Sequence, residues 1–470
     1  MKFFIFAVIL FSICFSYGEE NVYSISMLGQ EIGTSSEKWS VIQHKDGRCF
    51  IKLETNSEMK IMRGPSSMEV SSKSSVFVEC NTFKPVSIQT ESREPGSSTE
   101  GKAVVKENVF SGEIIRGNNR ENVSYKMGEG LTFFSMILRK YSPEQLAKGF
   151  SKTVISEESL NKVNVTVSGK KLEDHYLINV NYSGIPIDFK IKNGTVVRSD
   201  LQNGLISYRL VKSSNLKGEP DVPDRKNKPE IKTDILELAS KRNRGINIKD
   251  PRRAKTATFS FKGENIPDIL SNCYQKVRDI PGGRLVEVDL GKVPCGKGTV
   301  EDVHLLPNIF EDSNSPEIIK VAQRIMKKGK NRDDLIERTV SFVFRHIKDK
   351  NYNHGNLSAS ETLKKRAGDC TEHSTLLSAL LKAMKIPVKM VYGVVLDPEG
   401  RFFFHNWNEV YTDKGWIVVD STFGMKKSDS ARIALVYGGG DSANREEVAL
   451  TVIRFLANNI EISVEGFSYE

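Results

Sequence analysis

The sequence predicts an α+β protein built from two unlike halves. A β-rich N-terminal domain spans 19–215, and over 315–470 helices come first and an antiparallel sheet follows. Three observations carry this. From Asn21 to about Asn215, short alternating or β-branched runs sit between Gly, Ser and Asn clusters, the pattern of strands and turns. From Ser315 to Met384, apolar residues recur at helical spacing. After Ile386-Pro387, three strand-like runs follow at 389–396, 402–411 and 416–420.

The first eighteen residues stand apart. Met1-Lys2 is a charged start, Phe3 to Phe15 is hydrophobic or small, and Ser16-Tyr17-Gly18 places small residues where a signal peptidase cuts. That predicts a cleaved export signal over 1–18. The run is shorter than the roughly 20 apolar residues of a membrane span, so no stable membrane insertion is expected. With Cys14 removed, Cys49, Cys80, Cys273, Cys295 and Cys370 remain. An odd number in an oxidising compartment suggests pairs and one leftover thiol. Pairing neighbours would join Cys49 to Cys80 and Cys273 to Cys295 and leave Cys370 free, although four cysteines allow three pairings. Their scatter, without a C-x-x-C pair, does not suit zinc, so no metal is expected.

In the N-terminal domain, 176–182 and 187–191 flank a Ser183-Gly184 turn, and Asn193-Gly194 leads into 195–198. Such turns need positive φ and predict hairpins. His44 and His175 read as surface or strand-face residues. Pro220, Pro223 and Pro229 among charges mark an extended linker over 216–232. A short helix near 234–241 and strands at 256–261 and 284–290 suggest a small β module over 233–314. The chain carries a formal charge of +9, with its main basic cluster between Lys241 and Lys255. That cluster has no interleaved aromatics, so it reads as a solvated linker face and no nucleic-acid partner is expected.

The last domain opens with Ser315-Pro316-Glu317, a helix start with proline in its first turn. Asn331 opens a second helix, and Ser360-Glu361-Thr362-Leu363 forms a brief helical turn. Cys370 then heads a helix whose stripe is Leu376, Leu377, Leu380, Leu381 and Met384. A thiol in a first helical turn feels the positive end of the dipole, which favours thiolate. His405 and Asp420 lie on the following strands. If Asp413-Lys414 is a two-residue turn, Thr412 faces Gly415 and Asp420 falls opposite Trp407, which shares a face with His405. A one-residue bulge at Gly415 would turn the two apart. Cysteine, histidine and aspartate are the inventory of a nucleophile, its base and the group that orients the base. The Cys370 backbone N–H is a candidate oxyanion donor and Tyr352 a candidate second one. His346, His354 and His373 read as structural, Trp407 as a packing wall, and Glu409 as a surface group or a support to the site.

Gly368-Asp369-Cys370-Thr371-Glu372-His373, Ile386-Pro387, 405–411, 415–422 and Asp429-Ser430-Ala431-Arg432-Ile433 resemble the bacterial transglutaminase-like superfamily. The resemblance runs loosely from about Arg252 to the C-terminus and leaves the N-terminal half outside. It implies a papain-like α+β core with Cys370, His405 and Asp420 as its triad. It further implies acyl transfer through a thioester, a protein or peptide substrate, the cell envelope being one source, and no cofactor. Ser421 stands where that family usually has proline, Lys385 where glycine commonly precedes Ile-Pro, and Asn406 where a small or apolar residue is usual. The resulting expectation is an exported, periplasmic or secreted transglutaminase-like cysteine enzyme. The alternatives are a cysteine peptidase or amidase on the same residues, or a non-catalytic envelope binding or scaffold protein.

Overall fold

The computed structural model describes residues 20–63, 66–202, 204–213, 240–263, 266–296, 298–350, 354–457 and 459–469. The expected export signal and the 216–232 linker lie outside the described residues, as does nearly all of the short helix expected near 234–241. The described residues fall into two compact units, one on each side of residue 233.

In the first unit, fourteen strands from β1 (Glu20–Met27) to β14 (Ile206–Ser213) form one antiparallel sheet. The first eight step outward from β1. The chain then crosses through the helical turns Ile137–Lys140 and Pro143–Lys148 to the far edge and steps back until β14 pairs with β1. The cause is local. Ile185, Ile187, Phe189 and Ile191 are buried, whereas the residues between them lie nearer water, so the period of two gives the sheet one apolar face. The turns at 183–184 and 193–194 hold positive φ at both residues, as the hairpin signals require. The sheet curls until its ends meet: the Tyr125 hydroxyl donates to Leu160 O at 2.9 Å and Lys162 Nζ to Lys126 O at 3.1 Å. Cys49 and Cys80 are disulfide-bonded. His44 and His175 pair with the exposed carboxylates of Asp46 and Asp174.

The second unit has three layers. Strands β15 (Lys241–Arg242), β16 (Thr256–Lys262), β17 (Gln275–Ile280) and β18 (Gly283–Asp289) precede helices α1 (Pro316–Met326), α2 (Arg332–His346), α3 (Ala359–Lys365) and α4 (Cys370–Ala383). Then come β19 (Val388–Leu396), β20 (Arg401–Thr412), β21 (Gly415–Val419), β22 (Arg432–Gly438), α5 (Ser442–Ala457) and β23 (Glu461–Ser468). The central sheet runs β15-β20-β19-β22, with β21 also on β20. One face packs on the helices through Val388, Val410 and Val419. The other packs through Val391, Trp407 and Ile433 on a second sheet ordered β17-β18-β16-β23. With both faces covered, β19 reads as a near-continuous apolar run rather than an alternating one. The 233–314 stretch was expected as a small β module. Of its strands, β16 pairs with β23 from the far end of the chain, and residues of β16 and β18 share a core with the central sheet. Local signals show strands but not a partner some 200 residues away.

Helix α4 is buried from Thr371 to Lys382, because α1, α2 and α3 surround it on the sheet. Its end explains an unusual residue. Lys385 N donates to Lys382 O and Ile386 N to Leu381 O, a Schellman closure that places Lys385 at φ 59°. Only glycine adopts that conformation without cost, which accounts for Lys385 being a departure at this position. Lys385→Gly is predicted to stabilise the protein by about 1 kcal/mol, read as a higher urea midpoint at unchanged slope. An unchanged or lower midpoint counts against the assignment.

Candidate active site

Position Cys370 is prepared by its neighbours. Asp369 caps α4, its carboxylate accepting from Thr371 N at 2.8 Å, and Glu372 reaches back to accept from Asp369 N at 2.9 Å. Gly368 sits at φ +144°, and a Cβ there would lie 2.4 Å from the Glu372 side chain, so the chain can enter this cap only through glycine. The cap leaves Cys370, half-buried and the free cysteine among the described residues, in the first turn of a helix.

His405 owes its place to sheet topology. On the edge of β20 away from β19, β15 pairs with 401–402 and β21 with 408–412. Among the described residues, 403–407 has no strand partner on that edge, and His405 lies at the middle of the gap. Across the sheet its partner is Gly393, where a Cβ would fall 2.6 Å from the Trp407 ring and 2.1 Å from Ile433 O. The β20–β21 hairpin pairs Thr412 with Gly415 and Asn408 with Val419, without a shift. Gly415 is thus not a bulge. Its φ is +122°, and a Cβ would lie 1.8 Å from Gly296 O, on the loop that the Cys273–Cys295 disulfide ties down.

That register brings Asp420 to His405. Imidazole Nε2 donates to Asp420 Oδ2 at 2.8 Å, and Cys370 lies close enough to act on the ring. Asp420 is fully buried. Its Oδ1 accepts from Thr422 N at 2.9 Å and Phe423 N at 3.3 Å, and its Oδ2 accepts a second bond, from Arg432 Nη1 at 3.0 Å. Burial alone would depress the His405 pKa, but Asp420 and Cys370 outweigh it and raise it to about 9. Burial likewise opposes ionisation of Asp420, yet His405 and Arg432 hold that carboxylate well below its usual range. Phe423 stacks on the imidazole at 4.9 Å, with Arg252 over Phe423 at 5.0 Å.

The three residues singled out from the sequence thus adjoin one another. Others fare differently. Tyr352, the candidate second oxyanion donor, lies outside the described residues. His373 Nδ1 lies 2.8 Å from Asp369 O, and burial lowers its pKa to about 4, which keeps the ring neutral and structural. His346 Nε2 contacts Leu363 O at 2.8 Å. Glu409 is not a surface group: it is buried and accepts from the Tyr274 hydroxyl at 2.6 Å and the Tyr437 hydroxyl at 3.1 Å. Arg252 is not part of a solvated face either, since it donates to Asp429 Oδ2 at 2.9 Å. The place of Arg432, a fully buried guanidinium, was visible only as part of the Asp429–Ile433 block.

Residues 319–421, which hold all three, match the profile of the Transglutaminase-like superfamily, the family expected from the residue blocks. Comparison with curated proteins gave no match. Among solved structures, a protein from Cytophaga hutchinsonii provisionally described as a cysteine protease is 18% identical, over 46% of this chain and 85% of that one, at a TM-score of 0.31. A β-barrel-like protein of unknown function from Brucella abortus is 11% identical over 41% of this chain and 93% of its own, at a TM-score of 0.30. A protein from Parabacteroides distasonis, also provisionally described as a protease, is 10% identical over 88% of this chain and 72% of its own, at a TM-score of 0.21.

The raised imidazole pKa links the site to stability. A histidine raised from 6.5 to about 9 contributes fully below pH 6.5 and loses that contribution as pH rises through 9. Asp420 has the opposite sign: its contribution is present above the ordinary carboxylate range and is lost as pH falls through its depressed value. Urea midpoints of the wild type should therefore decline between pH 6.5 and 9 more steeply than those of His405→Asn. Parallel profiles would show that the pair is not linked to folding.

Proposed function

We propose that this chain is a cysteine enzyme that forms a thioester on Cys370 and passes the acyl group to an amine or to water. The observation that carries this is the buried imidazole of His405, held through Nε2 by the carboxylate of Asp420 at 2.8 Å, with the free thiol of Cys370 close enough to raise its pKa. Nε2–H is committed to Asp420, and Nδ1 holds the proton that has left the thiol, so the resting pair is thiolate and imidazolium. The resulting thiolate attacks a carboxamide or peptide carbonyl; a C–S bond forms and the carbonyl electron pair moves to oxygen. The Cys370 N–H, at the positive end of α4, is oriented to receive that charge. As the C–N bond breaks, the imidazolium returns its proton to the departing amine. An incoming amine or water then gives a proton to His405, attacks the thioester and releases the thiolate.

Acyl transfer to an amine makes this a transglutaminase-like reaction, and transfer to water makes it a peptidase or amidase on the same residues. The matching profile over 319–421 supports the first. Protein or peptide carboxamides are the substrates this chemistry suits. We also read the chain as exported: two disulfides are the chemistry of an oxidising compartment, and no helix among the described residues is long and apolar enough to cross a membrane.

Alkylation of Cys370 by iodoacetamide at neutral pH should slow by about 100-fold in His405→Ala. A glutamine peptide should then give a cross-linked product with a primary amine present and a glutamate product without one. Unchanged alkylation in His405→Ala, together with no product in either reaction, would leave a non-catalytic scaffold as the better account.

A further inference from the structure

Asp420 does not face His405 alone. Its Oδ2 is shared between His405 Nε2 and Arg432 Nη1. Arg432, 1% exposed in its side chain, turns its remaining donors to Asp429: Nη2 to Oδ2 at 2.6 Å and Nε to the backbone oxygen at 3.0 Å. Asp429 in turn accepts from Arg252 Nη1 at 2.9 Å, and Arg252 also donates to Leu396 O. The result is a row of alternating charge, Arg252, Asp429, Arg432, Asp420, which ends on His405 and Cys370. A thiolate–imidazolium pair continues the alternation to its end.

Resting on the cysteine-enzyme reading, we propose that Arg432 is a positioning residue that holds Asp420 against His405 and shares its negative charge, backed by Asp429 and Arg252. A buried arginine is costly unless it is paired on every side, and simple core filling would not need one. Its fork makes a two-point hold, one arm on each aspartate, which a lysine cannot reproduce. Its charge also competes with the imidazolium for Oδ2, so that His405 can part with its proton to the leaving amine. The other ionisable groups around this carboxylate are few. Lys350 acts on it electrostatically and donates to Thr422 O at 3.1 Å, and His373 is neutral. Trp407, under the Arg432 guanidinium at 5.0 Å, carries no charge.

The test follows the His405 ring by NMR in histidine-labelled full-length protein, assigned with His405→Ala, across pH. In folded Arg432→Met, the ring midpoint should rise by about one pH unit, because Asp420 then acts on His405 with its full charge. In Arg432→Lys, which keeps the charge and loses the fork, Cys370 alkylation should slow by about tenfold while the midpoint stays in place. A folded Arg432→Met with the wild-type midpoint overturns the proposal. Where Arg432→Met does not fold, Arg432→Lys decides, and wild-type alkylation in it overturns the proposal. Alkylation insensitive to His405→Ala, with the midpoint still moved by Arg432→Met, would sink the enzyme reading and leave the positioning role intact.

Discussion

A carboxylate that stays ionised while fully buried is the constraint on which the second unit depends. Taking such a charge out of water costs several kcal/mol unless donors surround it. Asp420 meets that demand with two backbone N–H groups on one oxygen and two cationic side chains on the other. Each donor fixes part of the architecture. The turn after β21 must close so that the backbone N–H groups of Thr422 and Phe423 reach Asp420, β22 must deliver Arg432, and β20 must leave an edge open at His405. A site of this kind is a property of the whole sheet rather than of a short motif.

The layers around that carboxylate explain why the imidazole is dry and stiff. The helices cover one face of the central sheet and the β16–β18 and β23 sheet covers the other, so water has little access to the His405–Asp420 bond. Low local polarity strengthens that bond and also raises the cost of leaving any member unpaired. Phe423 and Trp407 both stack against the ring, at 4.9 Å and 6.2 Å between centroids. The disulfide at Cys273–Cys295 reaches the same hairpin, since Cys295 N donates to Trp416 O at 3.0 Å.

Much of this was legible because its causes are local. The helix headed by Cys370 and the hairpin turns at 183–184 and 193–194 depend on residues close in sequence. The parity that sets Asp420 with His405 was legible only on the condition of a two-residue turn at Asp413-Lys414. Gly415 illustrates the boundary. Whether it bulged could not be read from the hairpin, because the atom that demands a glycine there belongs to Gly296. The same holds for the pairing of β16 with β23, for Arg252 with Asp429, and for Glu409 beneath Tyr274 and Tyr437. Each depends on a contact between residues far apart in the chain. Lys385 shows the reverse case: a helix end can be specified strongly enough by its hydrogen bonds to carry a residue in the wrong backbone region.

The most direct test of the account is whether Cys370 can be acylated and then deacylated with the help of His405. Intact-mass and peptide-mapping mass spectrometry after brief exposure to an activated acetyl ester at neutral pH would read this. The account predicts acetylation confined to Cys370 that clears with time, faster when a primary amine is added, and that is nearly abolished in His405→Ala. Acetylation spread over surface lysines with Cys370 unmodified, or equal acylation of Cys370 with and without His405, would contradict it.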